Sequence, residues 1–312
     1  MPVADFAFFN QQFVPLSEAK IGIMTHALHY GTACFDGIRG NWNSEEGKMY
    51  LFRVRDHYQR LHKSCHIMKI NLSYTIDELC RLTTELVERN TYREDIYIRP
   101  LAYKSSQVVG VRLHNLEDDF FMFLTPFGLY LDIEKGARCC ISTWRRIDDN
   151  MIPPRAKITG AYANSALAKT EAWENGFDEA ILLNQDGRVS EGSGENVFIV
   201  IGDRLVTPPS SDNILVGITR DTIIRLAKNE LGIETLERSI SRNELYVADE
   251  CFLTGTAAHL SPVIEIDHRK IGEGGVGKLS KRLQSLFFDV IKGKVPKYID
   301  WCTPVQYHKA AV

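Results

Sequence analysis

The sequence predicts an α+β protein of two domains. Its 312 residues exceed what one small hydrophobic core fills, and its 44% hydrophobic and 25% charged residues are typical of globular proteins. Segments with the period of strands and segments with the period of helices are mixed, without the strict alternation of a doubly wound sheet. We predict domains at 1–127 and 139–312, joined by a linker at 128–138, where "GLYLDIEKGAR" interrupts the pattern.

Three kinds of element define the predicted N-terminal domain. "FAFFNQQFVPL" (6–16) predicts a hairpin that turns at "NQQ", because aromatic, strand-forming runs flank a polar turn. From Thr75 to Asn90, apolar residues recur at helical spacing opposite a polar face. "DIYIRPLAY" (95–103) and "FFMFLTPFG" (120–128) predict strands that contain proline.

The predicted C-terminal domain contains both helices and strands. "QDG" and "GD" predict turns in a run of antiparallel strands at 179–209. A further strand is predicted in "ECFLTGT", and Ser241 with Glu244 forms a capping-box pattern. Helices are predicted at 164–176, closed by Gly176, at 219–232, closed by Gly232, and at 278–291.

Composition excludes several classes of partner. The net charge of −3, with both signs well mixed, argues against nucleic acid and anionic membrane surfaces. No apolar run approaches the ~18 residues that span a bilayer, and the N-terminus lacks the basic and apolar regions of a signal peptide. Seven cysteines without a CxxC pair predict buried thiols in a reducing compartment, so we expect a cytoplasmic protein.

A lysine in an unusual setting is the first chemical signal. Lys157 lies in "RAKITGAYANS" (155–165), among small and hydroxyl residues that would solvate it poorly. A lysine amine becomes a nucleophile when burial or a nearby positive charge lowers its pKa. Taken alone, a solvated lysine at the start of a helix is the commoner explanation.

Three further segments point to an anionic cofactor. In "SEGSGEN" (190–196) the glycines aim Glu191 from a turn, in "GITRD" (217–221) a helix begins with amides suited to phosphate, and "TGTAA" (254–258) forms a second anion-binding turn. Each has an ordinary alternative: a common hairpin, capping by Thr219, or a plain loop. A lysine, an acid, a tyrosine and two anion-binding turns together predict a site for pyridoxal 5'-phosphate (PLP).

The chain resembles the branched-chain amino acid aminotransferases, which are class IV PLP enzymes, over nearly its whole length. The matching segments follow the family's order: "THALHYGTACFDGIRG", "RDHYQRLHKS", "YIRPL", "SEGSGENVF", "GITRD" and "LTGTAAHLSPV". The resemblance implies the two-domain fold of D-amino acid aminotransferase (fold type IV), with PLP at the domain interface. It also implies ping-pong transamination of L-leucine, L-isoleucine and L-valine with 2-oxoglutarate.

The resemblance also implies cofactor residues. Lys157 would form the Schiff base and shuttle the proton, Glu191 would pair with the pyridine nitrogen, and Tyr162 would bond the phenolic oxygen. The phosphate would be bound by Arg60, Ile218, Thr219 and Thr256.

The substrate residues implied by the resemblance come from several segments. The turn at Thr256 and Ala257 would bind the α-carboxylate with Tyr97, and Tyr30, Arg99 and Tyr130 would receive the side-chain carboxylate of glutamate. The apolar walls would be formed by Phe35, Phe127 and Tyr162. Val109 and Val111 would line a neighbouring subunit's pocket, which implies a homodimer or higher homo-oligomer. Phe127, in place of a common tryptophan, and Asp36, in place of glutamate, bear on the substrate range.

Other functions remain open from the sequence. A D-amino acid or (R)-amine aminotransferase, or an aminodeoxychorismate lyase, would share the scaffold. An NAD-dependent oxidoreductase is a rival because "GEGGVG" (272–277) formally matches a dinucleotide motif, but only about 35 residues remain for the strand and the acid that should follow it. A cofactor-binding protein without catalysis is a third possibility. His62 and His66 lie at helical spacing without the carboxylate pattern of zinc sites, so no metal is expected.

Overall fold

The structure, a computed structural model, describes residues 5–128, 131–132 and 134–307. Helices and sheets are mixed along these residues, which confirms the predicted α+β class. None of the helices in this described part of the chain is both long and apolar enough to cross a membrane.

The chain divides into two compact units. The first unit comprises Met1–Gly128, Ala156–Gly160 and Asp289–Val312, and the second comprises Leu129–Arg155 and Ala161–Phe288. The chain therefore returns twice to the first unit, once for the five residues that carry Lys157 and once near its end. The predicted boundaries at 127 and 139 stay a prediction, and they do not include these two returns.

The first unit is built on an antiparallel sheet. Its strands are β1 (Phe6–Phe9), β2 (Gln12–Pro15), β3 (Ala33–Phe35), β4 (Ile38–Asn43), β5 (Lys48–Phe52), β6 (Ile96–Lys104), β7 (Asp118–Pro126) and β17 (Cys302–Val305). They lie in the order β17-β5-β4-β6-β7-β1-β2, and β3 pairs with one end of β6. The last strand along the chain, β17, therefore forms one edge of the sheet, and β2 forms the other.

Three helices accompany this sheet: α1 (His26–Tyr30), α2 (Val54–Ile67) and α3 (Ile76–Asn90). Helix α3 begins with the complete capping box of Thr75 and Glu78, which satisfies amide groups at its start. Leu79, Leu86 and Val87 are buried as the periodicity predicts, and Leu82 joins them. The predicted hairpin is confirmed as β1 and β2, whose turn places Asn10 and Gln11 at positive φ.

The second unit contains a larger mixed sheet. Its strands are β8 (Ala137–Arg145), β9 (Glu179–Leu183), β10 (Val189–Gly192), β11 (Asn196–Ile201), β12 (Arg204–Thr207), β13 (Thr235–Glu237), β14 (Glu250–Gly255), β15 (His259–Ile266) and β16 (Arg269–Lys270). The order is β10-β9-β8-β15-β14-β11-β12-β13, with β16 paired to β15. Parallel pairs join β8 to β9, β8 to β15 and β12 to β13.

Both faces of the central strands are buried. Side chains alternate along a strand, so Ile181 and Leu183 of β9 join the main core of the unit. Ala180 and Leu182 face the other way and pack with Ala168 of helix α4 (Tyr162–Glu174). The unit also contains α5 (Ile218–Leu231), α6 (Arg242–Val247) and α7 (Lys278–Ile291), whose final three residues fall in the first unit.

The predicted elements of this half are confirmed with small shifts. Helix α4 begins at Tyr162, before the predicted 164, and Gly176 follows it at positive φ. The capping box of Ser241 and Glu244 is present at α6. The cysteines are free thiols, buried except for the half-buried Cys80, as the sequence predicted for most of them.

Candidate functional site

Lys157 lies in a short extended segment held against β3. The Phe35 N–H donates to the Lys157 carbonyl at 3.0 Å, and the Lys157 N–H donates to Ser64 Oγ at 3.1 Å. Cys34 and Ile158 form an isolated β-bridge beside this bond. The lysine is half-buried, and its Nζ lies 5.0 Å from the centre of the Phe35 ring. The backbone therefore fixes where this amine emerges.

Two glycines allow the close approach of this segment. Gly31, which ends α1 at φ +61°, faces Gly160 so closely that a Cβ on it would lie 2.7 Å from the Gly160 Cα. Thr159 Oγ1 and the Gly160 N–H both donate to the Gly31 carbonyl. The small residues around the lysine, noted in the sequence, are thus needed for backbone contact.

Replacing Gly31 with alanine is expected to destabilise the first unit. The added Cβ would lie 2.7 Å from the Gly160 Cα, and the alanine would have to keep the positive φ of Gly31. We therefore expect a loss of about 3 kcal/mol in the free energy of unfolding. Urea denaturation measures this loss. Gly47→Ala is the matched control, because Gly47 has φ +64° and open space around it, and about 1 kcal/mol is expected there. Equal losses in the two variants would contradict the steric explanation.

A row of aromatic rings and cations continues from Lys157 along the first unit. The Arg99 guanidinium lies 4.4 Å from the Phe35 ring centre and 5.1 Å from that of Tyr97. Arg99 Nη2 also donates to Tyr97 Oη at 3.1 Å. The ring of Phe127 follows, 5.2 Å from Tyr97 between centroids. Four predicted substrate residues and the predicted catalytic lysine are therefore neighbours in one unit.

The predicted phosphate residue Arg60 has a buried acidic partner. Its Nε and Nη2 donate to the two oxygens of Asp36 at 2.9 and 2.7 Å, and His57 Nδ1 lies 2.7 Å from Asp36 Oδ1. Burial alone would raise the pKa of Asp36, but Arg60 and His57 outweigh burial and hold this pKa well below its usual range. Asp36 therefore stays ionised and orients Arg60. The sequence drew attention to Asp36 only as a shorter acid, so this pairing was missed.

The remaining predicted residues of the first unit lie at the end of α1 and in the connection between β6 and β7. Tyr30 Oη accepts from the Gly110 N–H at 3.0 Å, which ties α1 to the segment of Val109 and Val111. These two valines are 71% and 90% exposed. Tyr130, the remaining predicted carboxylate residue, lies outside the described residues.

In the second unit, the predicted cofactor residue Glu191 is surrounded by several hydrogen-bond donors. The carboxylate is buried on β10, and Arg146 Nη2 lies 2.7 Å from its Oε1. Its Oε2 accepts from Asn196 Nδ2 and from the Leu215 N–H, both at 3.0 Å. A carboxylate with this set of donors is held in one orientation beside a positive charge.

Asn196 connects Glu191 to the start of α5. Besides its bond to Glu191, its Nδ2 donates to the Leu215 carbonyl at 2.9 Å. A Cβ on Gly217, the N-cap residue of α5, would lie 2.1 Å from Asn196 Oδ1, so only glycine fits there. Gly217 has no side chain to cap the helix, and Thr219 is buried in the first turn with Ile218. Capping by Thr219, the alternative left open above, is therefore wrong.

The second predicted anion-binding turn links β14 and β15. Thr256 and Ala257 are half-buried in this connection, between Gly255 and His259, which pair across it. A Cβ on Gly255 would approach the Gly194 carbonyl at 3.3 Å, so this turn packs on the turn that follows Glu191. Tyr162 begins α4 and is half-buried.

A second buried acid supports these turns. Glu195 accepts from the Gly194 N–H at 3.1 Å, and its carbonyl accepts from the Gly192 N–H at 2.6 Å. Burial raises the pKa of Glu195 to about 8, helped by the charge of Glu179 and opposed by Gly194 and Lys169. Lys169 Nζ itself lies 2.6 Å from Glu179. Glu195 is therefore protonated at neutral pH.

This pKa predicts that stability falls as the pH rises from about 4.5 to about 8. Between the ordinary value of 4.5 and about 8, the folded protein binds a proton at Glu195 that the unfolded chain has released, so stability falls as pH rises. Glu195→Gln is expected to flatten this fall in urea denaturation from about pH 5 to about pH 9. The exposed Glu273→Gln serves as control and should keep the wild-type slope. An unchanged slope in Glu195→Gln would contradict the assignment.

The dinucleotide-like motif at 272–277 has a structural role. The glycine at 277 leads into α7, and the carboxylate of Glu250 accepts from the Leu279 and Ser280 amides at 2.9 and 2.8 Å. A side chain on Gly277 would collide with that carboxylate. The start of this helix is therefore occupied by the chain's own acid, which leaves no place for a dinucleotide phosphate. In the part of the chain that the structure describes, no cluster of three or more acidic, histidine or cysteine side chains is placed to hold a metal ion.

Sequence patterns missed several residues at these sites. Asn196 stands within a quoted motif, but no periodicity or spacing singles out its amide. Arg146 precedes a loop with no motif, and its contact with Glu191 depends on the sheet that places both.

Comparison with known proteins reveals extensive similarity. Residues 33–266 match the family model described as "Amino-transferase class IV". A protein of Aquifex aeolicus (strain VF5), named probable branched-chain-amino-acid aminotransferase, is 50% identical over 301 residues, covering 96% of this chain and 97% of that protein.

Solved structures are similar over the same length. The branched-chain aminotransferase of Thermoproteus uzoniensis with norvaline is 43% identical, with a TM-score of 0.93 over 97% of this chain and 100% of that chain. A T.th. branched-chain amino acid aminotransferase, complexed with N-(5'-phosphopyridoxyl)-L-glutamate, is 40% identical, with a TM-score of 0.92 over 98% of this chain and 100% of that chain. The similarity therefore extends over the segments that carry the predicted site residues of the first unit and of the second unit.

Proposed function

From the premise that this chain belongs to the class IV amino-transferase family, we propose roles for the individual residues in its reaction. The activity is transamination of branched-chain amino acids, and the cofactor is PLP. The sister activities on D-amino acids, (R)-amines and aminodeoxychorismate are not favoured by these relatives. The observation that carries the residue roles is the placement of the Lys157 amine over Phe35 by backbone bonds.

The side chains present fit PLP. Lys157 offers an amine, Glu191 offers a carboxylate paired with Arg146, and α5 begins with a glycine that brings no capping group of its own. We propose that Glu191 and Tyr162 hold the pyridine nitrogen and the phenolic oxygen. We propose that the phosphate is bound by Arg60, Ile218, Thr219 and Thr256. When bound, PLP condenses with amino groups and withdraws electrons from the substrate Cα.

The chain's own groups then move protons and stabilise charge. Lys157 would take the proton from the substrate Cα as general base and would then return a proton as general acid. Glu191 would keep a proton on the pyridine nitrogen, because Arg146 and Asn196 hold its carboxylate in place. Asp36 likewise holds the guanidinium of Arg60 in place through two hydrogen bonds.

The substrate roles follow the row of rings and cations. We propose that Tyr97, Thr256 and Ala257 bind the α-carboxylate. Phe35, Phe127 and Tyr162 contact aliphatic side chains, and Tyr30, Arg99 and Tyr130 receive the side-chain carboxylate of glutamate. The second substrate is 2-oxoglutarate, a proposal supported by the glutamate adduct in the phosphopyridoxyl complex described above.

We propose a homodimer or higher homo-oligomer in the cytoplasm. Val109 and Val111 are exposed, as are Ile23 and Leu28, and the Tyr30–Gly110 bond joins the two segments that carry them. Apolar side chains grouped in this way are typical of an interface. The free and mostly buried cysteines support a reducing compartment.

An absorbance spectrum before and after addition of L-leucine tests this function. A violet band that fades while a near-ultraviolet band grows is expected, because the cofactor takes up the amino group. A band that responds to a D-amino acid or an (R)-amine and ignores L-leucine would overturn the substrate class. The absence of any band after addition of PLP and removal of the unbound cofactor would overturn the cofactor assignment.

A further inference from the structure

Ser64 is a buried serine of α2 that contacts two residues with proposed roles in the reaction. Its Oγ donates to the Arg60 carbonyl at 3.0 Å and accepts from the Lys157 N–H at 3.1 Å. A bond from serine to the carbonyl four residues earlier is common inside helices. The bond from Lys157 is of another kind, because that residue lies 93 positions further along the chain. One hydroxyl therefore joins the helix of Arg60 to the segment of Lys157.

A second connection joins the same helix and segment through β3. The Phe35 N–H donates to the Lys157 carbonyl at 3.0 Å, and Asp36 is the next residue along the chain. Asp36 in turn accepts two bonds from the Arg60 guanidinium. The hydrogen bonds of these residues therefore close a ring, called the Ser64 ring below, which comprises Ser64, Lys157, Phe35, Asp36 and Arg60.

The Ser64 ring is difficult to open because its polar members are buried. Ser64 and Asp36 have no exposed surface. A hydrogen bond is stronger in the protein interior than in water, and a buried polar group that loses its partner destabilises the fold. In a closed ring, no member can shift without lengthening the bonds of its neighbours. The backbone of Lys157 is thus held more firmly than by its bond to Phe35 alone.

We propose that Ser64 is a positioning residue that fixes the segment of Lys157 relative to the helix of Arg60. This inference rests on the roles proposed above for those two residues and adds a third residue to them. A cofactor that is bound by an amine at one point and through its phosphate at another requires the two points to be correctly spaced. Ser64 would act on that spacing without touching the cofactor.

Ser64→Ala in the PLP-loaded enzyme tests the proposal. The Kd of PLP, measured by equilibrium dialysis, is expected to rise about tenfold, as for loss of a buried hydrogen bond. At saturating PLP, kcat for L-leucine is expected to fall about tenfold, because a misplaced amine transfers protons slowly. The phosphorus NMR resonance of the bound cofactor should also move, because Arg60 shifts with the opened ring. Urea denaturation checks that the variant is folded.

Two further variants control for packing. Ser64→Thr is expected to keep the Kd, kcat and phosphorus resonance near those of the unaltered enzyme, because a helical threonine can bond the same carbonyl with its hydroxyl. Thr84→Val is the matched control, because it removes a hydroxyl of α3 that donates to the Cys80 carbonyl at 3.1 Å, also four residues earlier. No role in the reaction is assigned to Thr84, so its variant should change none of the three quantities.

A Ser64→Ala enzyme that lost stability alone would make Ser64 a structural serine and overturn the proposal. A lower kcat with an unmoved phosphorus resonance would also overturn it, since Lys157 and Arg60 would then be independent. Equal losses in Ser64→Thr and Ser64→Ala would assign the effect to packing and count against it too.

If Ser64→Ala does not fold, Ser64→Cys decides, because the thiol keeps the shape of the side chain but bonds weakly. The same three changes are expected there, and unchanged values would overturn the proposal. Failure of the proposed function itself would be seen separately, as an unaltered enzyme that binds no PLP or does not respond to L-leucine.

Discussion

Lys157→Ala is expected to reduce turnover of L-leucine by about 10⁴-fold or more, since it removes both the nucleophilic amine and the group that moves the Cα proton. The fold should persist, because the segment is held by backbone bonds to Phe35 and Ser64 that alanine keeps. Steady-state kinetics measure the loss, and urea denaturation checks the fold.

Added methylamine distinguishes loss of the lysine amine from damage to the fold. A small amine can restore part of the proton transfer in the alanine variant, whereas it cannot repair a distorted fold. Lys63→Ala, at an exposed lysine of the same unit, is the control and should keep full activity. A Lys157→Ala enzyme with wild-type turnover would refute the catalytic role.

Glu191→Gln is expected to lower kcat by about 10²- to 10³-fold, the range for loss of one electrostatic stabiliser in a buried site. The amide can still accept from Asn196, but it no longer keeps a proton on the pyridine nitrogen. It also leaves Arg146 buried without its charge partner, so a loss of about 3 kcal/mol in the free energy of unfolding is expected as well.

Glu179→Gln separates the two effects. Glu179 is equally buried in the same unit and pairs with Lys169 at 2.6 Å, but no role in the reaction is assigned to it. Its variant should lose stability and keep kcat, when both enzymes are compared below their unfolding transitions. If Glu191→Gln lost stability alone, Glu191 would be a structural acid and its cofactor role would be refuted.

Local pattern was sufficient for much of the fold. The β1–β2 hairpin, helix α3 with its buried stripe, and the capping box at α6 all depend on contacts within a few residues, so their signals are present in the sequence. The position of Lys157 among small residues was visible for the same reason. The contact of those residues with Gly31 could not be predicted, because Gly31 lies more than a hundred positions away in the sequence.

Long-range pairing also explains the missed residues. Asp36 meets Arg60 only because β3 and α2 fold together, and Ser64 meets Lys157 only because the chain returns to the first unit. Neither contact has a fixed sequence spacing. The functional roles came instead from resemblance to a family, and the structure supplied the partners that orient those side chains.

The edge strand β17 has a consequence for how the protein matures on the ribosome. Residues 302–305 pair with β5, although more than two hundred residues separate the two strands along the chain. Synthesis runs from the N-terminus, so the second unit emerges in full before the sheet of the first unit receives its last strand. Nascent chains must therefore wait with β5 uncovered on one side, and a gene fragment that stops after residue 128 would encode an unfinished sheet.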